Sequence, residues 1–211
     1  MFLIKKVYNT GMKITFRNNL KEVKDNVLFI QIGPKNKDEI IKEKGIKTLY
    51  LKCDEKMTLR RLFLLIRKMV AMTKGAKAEK IAFDFGNFRF DSLKLADEEL
   101  AEIIGTQLDF ANYEFTDYKT PPKEGFPSIK EVFIIDCPKV CQADILKGKT
   151  IAEEVNKTRT LANTPGGDMT PQILAQKAKE AVKGMPVKVT ILGEKEMEKQ
   201  KMQAILSVGR G

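Results

Sequence analysis

The residues able to do chemistry in this 211-residue sequence include no histidine. A Ser-His-Asp triad, a Cys-His pair and any His-ligated zinc site are therefore excluded within it. Acid-base or metal chemistry would fall to carboxylates, Lys, Tyr or Cys. The three cysteines, Cys53, Cys137 and Cys141, are too few and odd in number for a disulfide framework and fit a reducing compartment. Cys137-x-x-x-Cys141 could set two thiolates on one helix face, but without a second Cys pair or a His it leaves a four-ligand zinc site incomplete.

The remaining motifs have plain structural readings. Asp84-Phe85-Gly86 spells the kinase metal-binding triplet without a glycine-rich loop or catalytic-loop Asp, and reads as a strand end entering a turn. Asn156-Lys157-Thr158 spells a glycosylation sequon inside an expected helix. Gly166-Gly167 after Pro165 could cradle an anion at the start of the next helix, but no GxGxxG or P-loop pattern accompanies it and a chain reversal accounts for it. Glu153, Glu154 and Asp168 form no obvious catalytic pair. No catalytic, metal-ligating or substrate-binding residue is assigned in these residues.

The charge balance is 38 basic to 28 acidic side chains, a net of +10, so a polyanionic partner enters consideration. Residues 151–211 carry 10 of the basic and 7 of the acidic groups, which leaves no basic tail or arm. Clusters at Lys35/Lys37, Arg60/Arg61/Arg67/Lys68 and Lys74/Lys77/Lys80 mostly flank or decorate expected helices and are not interleaved with exposed aromatics in a nucleic-acid-binding motif, the pattern of a Lys-rich solvated surface. The longest apolar runs, 62–66 and 132–135, are far short of a membrane span. Met1-Phe2-Leu3-Ile4-Lys5-Lys6 lacks the layout of a secretory signal, so a cytoplasmic protein is expected.

These side chains sit on alternating elements. Strands are expected at 12–17, 27–33, 46–52, 80–85 and 129–136, where β-branched and aromatic residues run between turn signals. From Thr58, apolar residues Leu62, Phe63, Ile66, Met69, Val70 and Thr73 recur at three- and four-residue steps, predicting a helix capped by Thr58 and stopped by Gly75. A second helix is expected from Asp97, as N-cap, to about Tyr113, with Leu100, Ile103, Ile104, Leu108 and Ala111 on one face. Alternating strands and helices imply an α/β layer structure with an at least partly parallel sheet.

A third helix is expected over about 140–162, with an irregular middle near Gly148, ending at the breaker Asn163-Thr164-Pro165-Gly166-Gly167. Thr170-Pro171 then starts a helix with Ile173, Leu174, Ala178, Ala181 and Val182 apolar and Gly184 as its stop. Val187 to Leu192 alternates like a strand, and a helix is expected over 194–208 with Met197, Met202, Ile205 and Leu206 inward. A lone strand cannot satisfy both its edges, so this second α/β unit reads as cut off.

Arg159-Thr160-Leu161-Ala162-Asn163-Thr164-Pro165, followed by Thr170-Pro171, resembles the segment joining the two domains of the leucyl aminopeptidase (cytosol aminopeptidase) family. Ile205-Leu206-Ser207-Val208-Gly209-Arg210-Gly211 is similar to that family's next element, an apolar helix end running into Val-Gly-x-Gly. Tyr113-Glu114-Phe115-Thr116-Asp117-Tyr118-Lys119-Thr120 is similar to its Tyr-x-Phe-x-x-Tyr-Lys-Thr segment. Residues 1–112 match in layout alone.

The resemblance implies a macro-domain-like, three-layer N-terminal domain with a mixed sheet over 1–136. A connecting helix and linker over 137–164 and the incomplete start of a catalytic peptidase domain over 165–211 would follow. It further implies a hexameric cytoplasmic enzyme that releases N-terminal residues, often leucine, from peptides by two-metal hydrolysis with Mn or Zn. The family's Asp, Glu and Lys metal ligands and its Asn-Thr-Asp-Ala-Glu-Gly-Arg-Leu signature have no counterpart in these residues. The 211-residue chain is therefore expected to bind no metal and to be inactive alone. The competing expectations are a non-catalytic macro-like module for nucleic acid or a nucleotide, since some family members bind DNA, and an assembly subunit.

Overall fold

The computed structural model describes residues 11–23, 26–34, 37–53 and 56–210. Met1 to Lys6, Lys35 and Gly211, which entered the reading above, lie outside the described residues. The chain divides into two compact units, one up to Thr160 and one from Leu161. No helix among the described residues is long and apolar enough to cross a membrane.

The first unit is α/β, built on a six-stranded mixed sheet. Its strands are β1 (Lys13–Arg17), β2 (Leu28–Gly33), β3 (Glu39–Glu43), β4 (Ile46–Lys52), β5 (Lys80–Asp84) and β6 (Glu131–Ile135), in the order β1-β6-β5-β2-β4-β3. All pairs are parallel except β3 with β4. The interior strands β5 and β6 carry the near-continuous apolar runs Ile81-Ala82-Phe83 and Val132 to Ile135, as strands buried on both faces require. The charged, mostly exposed β3 blunts one sheet edge.

Sequence patterning does not anticipate β3. Its hairpin to β4 is closed by Lys44 and Gly45, with φ of 47° and 83°, the two-residue turn with both central residues left-handed. The Lys-Gly pair between two five- to seven-residue runs is the signal that could have found it.

Helices α1 (Leu59–Gly75) and α2 (Asp97–Asn112) pack together against one sheet face. The main core between them includes Leu28, Ile30, Leu49, Leu51, Leu62, Ile66, Met69, Ile81, Phe83, Ile104, Leu108, Val132 and Ile134. Phe83 and Phe88 meet edge to face at 5.1 Å. A smaller cluster of Val27, Ala82, Phe133 and Ile135 forms on the other face.

The Thr58 cap of α1 forms as expected, its hydroxyl accepting the Arg61 N–H at 3.3 Å. The stop differs: Gly75 is the last helical residue, and the left-handed position falls to Lys77, φ 54°. Ala78 N donates to Thr73 O and Lys77 N to Lys74 O, the paired bonds of a Schellman end. The N-cap of α2 is Ala96 instead of Asp97, because the Asp97 carboxylate is taken by a two-point pair with Arg89 at 2.8 and 2.5 Å. Glu99 caps in its place, accepting the Ala96 N–H at 3.1 Å.

Helix α3 (Lys139–Asn163) runs unbroken through Gly148, where an irregular middle is expected from sequence. The glycine serves packing instead. A Cβ on Gly148 would lie 2.2 Å from the Glu102 carbonyl oxygen of α2, and one on Gly105 would lie 2.1 Å from the Ile145 carbonyl oxygen of α3. The two backbones touch, and the Thr106 hydroxyl bonds to the Glu102 carbonyl at 2.7 Å and the Gly148 carbonyl at 3.2 Å.

The second unit contains α4 (Pro171–Ala181), α5 (Glu194–Lys199) and α6 (Gln203–Arg210). Thr170 caps α4 by accepting the Ile173 N–H at 3.4 Å, with Pro171 in the first turn as expected. The helix ends at Ala181, three residues before left-handed Gly184, the stop expected from sequence. Val187 to Leu192 is not a strand, and among the described residues no neighbouring strand supplies a ladder for it. The expected single helix over 194–208 is two: Lys201, φ 58°, ends α5, with Met202 N donating to Met197 O and Lys201 N to Glu198 O. Leu206 is buried, whereas Ile205, expected inward, is exposed.

Gly148→Ala and Gly105→Ala should each destabilise the first unit by about 1–3 kcal/mol through overpacking, although alanine is the better helix former. Gly75→Ala, with nothing within 4 Å of its Cβ position, should be neutral or slightly stabilising. Urea denaturation of the three variants checks the contrast.

Candidate functional site

The motifs singled out by spelling resolve into structural roles. Cys137 and Cys141 are both buried. Burial, with a smaller effect of Cys141, pushes the Cys137 thiol up to about 12, and burial also raises Cys141. Protonated thiols are poor metal ligands. Among the described residues there is no group of three or more His, Cys, Asp or Glu that could hold a metal ion. Asp84 caps the short turn Phe85–Phe88, its Oδ1 accepting the Gly86 N–H at 2.7 Å. Asn156 of the sequon is buried within α3. Gly166 and Gly167 lie in a turn in which Asp168 N and Met169 N both donate to Pro165 O at 2.9 Å. Glu153 pairs with Lys149, and Glu154 with Lys157, both within α3.

The described lysines of the basic clusters are paired with carboxylates. Lys37 pairs with Glu39, Lys68 with Asp38, Lys74 with Glu114, Lys77 with Glu124 and Lys80 with Glu131, at 2.5–4.0 Å.

The most organised polar cluster lies where the last turns of α2 meet α3. On α3, Lys149, Ala152, Glu153, Asn156, Arg159 and Thr160 follow helical spacing along one side, and the close glycine crossing brings that side onto α2. The Asn156 amide donates to the Asp109 carbonyl at 3.2 Å and to Asp109 Oδ2 at 2.9 Å. Its own oxygen accepts from Arg159 Nη1 at 2.8 Å, and the same Nη1 lies 3.2 Å from the Phe110 carbonyl oxygen. The Arg159 guanidinium stacks 4.2 Å from the Tyr113 ring centroid, and the Tyr113 hydroxyl lies 3.1 Å from the Thr160 hydroxyl. Arg159, Thr160 and Tyr113 thus occupy one cluster although two separate stretches of the resembling sequence carry them.

Asp109 is fully buried, and its Oδ1 accepts no hydrogen bond. Burial, reinforced by the Glu153 charge, pushes its carboxyl up to about 6, which Lys149 and the Asn156 bond offset only in part. Asn112 closes the other side of the α2 end. Its amide donates to Ile129 O and its oxygen accepts from Ile129 N, both at 2.9 Å, while Lys74 Nζ donates to Asn112 O at 2.8 Å. Beside the cluster is a cleft of about 440 Å³ lined by Arg67, Phe110, Ala111, Tyr113, Val155 and Arg159. Asp109, Asn112 and Arg67 carry no sequence signal for these roles, since each depends on a partner 17 to 47 residues away.

Chemically, the cluster has no nucleophile paired with a base and no donor set for a metal. It can fasten two helices and present guanidinium groups.

Residues 156–211 match the family model described as the cytosol aminopeptidase family, catalytic domain. A protein of Rickettsia bellii named "Probable cytosol aminopeptidase" is 32% identical over 177 residues, 82% of this chain and 35% of that protein. One of Roseiflexus castenholzii with the same name is 35% identical over 118 residues, 54% of this chain and 24% of that protein. The chain spans about a third of the length of the curated relatives it matches first. Among solved structures, a tomato leucine aminopeptidase mutant superposes with a TM-score of 0.70 at 15% identity, over 90% of this chain and 46% of that one. The bottromycin maturation enzyme BotP in complex with Mn gives 0.57 at 15% identity, over 76% of this chain and 36% of that one. At such identities the superpositions speak for the fold.

Asp109 makes stability depend on pH. A carboxyl whose folded value is raised favours the protonated native state, so its cost is absent at pH 4 and grows to completion as pH rises past 6. Asp109→Asn should therefore stabilise the chain by about 1–3 kcal/mol at pH 7 and by little at pH 4. Parallel urea melts at the two pH values read this out, and an equal effect at both would refute it.

Proposed function

The chain belongs to the cytosol aminopeptidase family, and on that premise we propose that it forms the N-terminal portion of an aminopeptidase that releases N-terminal residues, leucine among them, from peptides. The observation that carries this reading is the catalytic-domain match over residues 156–211. It stands beside relatives at 30–32% identity that extend across most of the chain.

In this reading residues 1–136 are the macro-like domain, 137–164 the connecting helix and linker, and 165–211 the opening of the peptidase domain. Two divalent ions, Mn or Zn, would belong to the complete enzyme, and a BotP structure of related fold is described in complex with Mn. The residues described here do not fit such a metal site: the buried cysteines are held protonated, and the Asp84 and Asp97 carboxylates are engaged elsewhere. No step of hydrolysis is therefore assigned to them.

Their part is to fold the first domain and fix the helix that leads out of it. Asn156 and Arg159 contribute by fastening α3 to α2. A hexameric, cytoplasmic enzyme is part of the same proposal.

Two assays test it. The 211-residue chain with a leucyl chromogenic substrate and Mn or Zn should show no turnover above a no-protein control. Robust metal-dependent turnover would overturn the placement of the site outside these residues. A chimera in which this chain replaces the matching third of the Rickettsia bellii relative should hydrolyse the same substrate when metal is supplied. A folded, metal-loaded chimera without turnover would count against the aminopeptidase reading.

A further inference from the structure

Arg67 and Arg159 are held without being neutralised. Arg67 Nε donates to the amide oxygen of Gln107 at 3.2 Å, and Arg159 Nη1 donates to the amide oxygen of Asn156 and the carbonyl of Phe110. Gln107 and Asn156 are buried, so the acceptors that orient both guanidinium forks are fixed and uncharged. Among the described residues neither arginine has a carboxylate partner. This sets them apart from the clustered lysines, whose charges are cancelled nearby.

Both arginines line the 440 Å³ cleft on the first unit, together with Phe110, Ala111, Tyr113 and Val155. Val155 keeps 40% of its surface exposed there. A volume in the range of small-ligand sites, an apolar wall and two oriented cations with unused donors describe a receptor for a molecule with an anionic head and an apolar body.

We propose that this cleft binds a small organic oxyanion, its carboxylate or phosphate head between Arg67 and Arg159 and its apolar body along Phe110 and Val155. The site lies wholly within the first unit and does not rest on the peptidase reading.

Isothermal titration of the full chain at low ionic strength tests it, with phenyl phosphate and benzoate as probes of the two head groups. Inorganic phosphate serves as head alone and phenol as body alone. Saturable binding of phenyl phosphate or benzoate is expected, tighter than inorganic phosphate, absent for phenol and weakened by added salt. The stronger of the two anions identifies the head. Arg67→Gln should weaken that binding by about tenfold or more. The variant should stay folded, its melting temperature lowered by a few degrees at most, because Arg67 makes a single hydrogen bond, to Gln107. Val155→Glu, which places a carboxylate in the cleft from an exposed position of α3, should abolish binding in a chain whose circular dichroism is unaltered. No saturable binding of either aryl anion would overturn the proposal, as would binding that Arg67→Gln leaves unchanged. Inorganic phosphate binding as tightly as phenyl phosphate would overturn the organic-anion assignment.

Discussion

Two α-helices approach as closely as the side chains at their crossing permit, and at Gly105 and Gly148 no side chain intervenes. Carbonyl oxygens of each helix sit where the other's Cβ would be. Much of the polar architecture of the first unit depends on that contact. With ordinary residues at the crossing, the axes would separate toward the usual 8–10 Å range or beyond. Asn156, eight residues past Gly148 on α3, could not then keep a 2.9 Å bond to Asp109 on α2. The Arg159 contact with the Phe110 carbonyl, one turn further on, depends on the same approach. Two glycines that cost helix propensity thus permit a network that no propensity scale would reveal.

That network contains a liability as well as a fastening. A buried carboxylate with one oxygen unbonded is an expensive group, more so with Glu153 nearby. Its retention is understandable if it serves specificity: Asn156 can satisfy both the Asp109 carbonyl and its carboxylate in one rotational and axial setting of α3 on α2. Buried polar groups of this kind are weak sources of stability but effective markers of register. Asn112 acts similarly on the other side, gripping both backbone atoms of Ile129 and so fixing the chain that enters β6.

The regular elements were legible because their signals are local. Apolar spacing along α1 and α2, the Thr58 and Thr170 caps and the apolar runs of β5 and β6 each lie within one segment. Misreadings arose where a local signal had a distant cause. Gly148 reads as a helix weakness until α2 is laid against it, and Asp97 reads as a cap until Arg89 claims its carboxylate. The helix ends at Lys77 and Lys201 place lysine in a conformation that sequence rules reserve for glycine or asparagine, so the first stop was displaced and the second missed. Val187 to Leu192 has the alternation of a strand, but a strand is a property of a pair. The polar cluster was the least legible part: Arg159, Thr160 and Tyr113 could be picked out as motif residues, while Asp109 and Phe110 could not.

The contrast between the two kinds of cation follows from their chemistry. A lysine ammonium is a compact, strongly hydrated charge on a flexible stem, and on this surface it finds carboxylates within 4 Å at Lys68, Lys77, Lys80 and Lys130. A guanidinium can spend one donor on a neutral amide or carbonyl oxygen, lie flat on a ring, and still present its remaining donors and its full charge. Arg159 does this between Asn156, Phe110 and Tyr113. Lysine at the same position could reach the carbonyl but could not lie flat on the ring. The arginines are therefore both part of the fastening and outward-facing charges. The helix junction can in this way carry a recognition surface without loosening the contact that holds it.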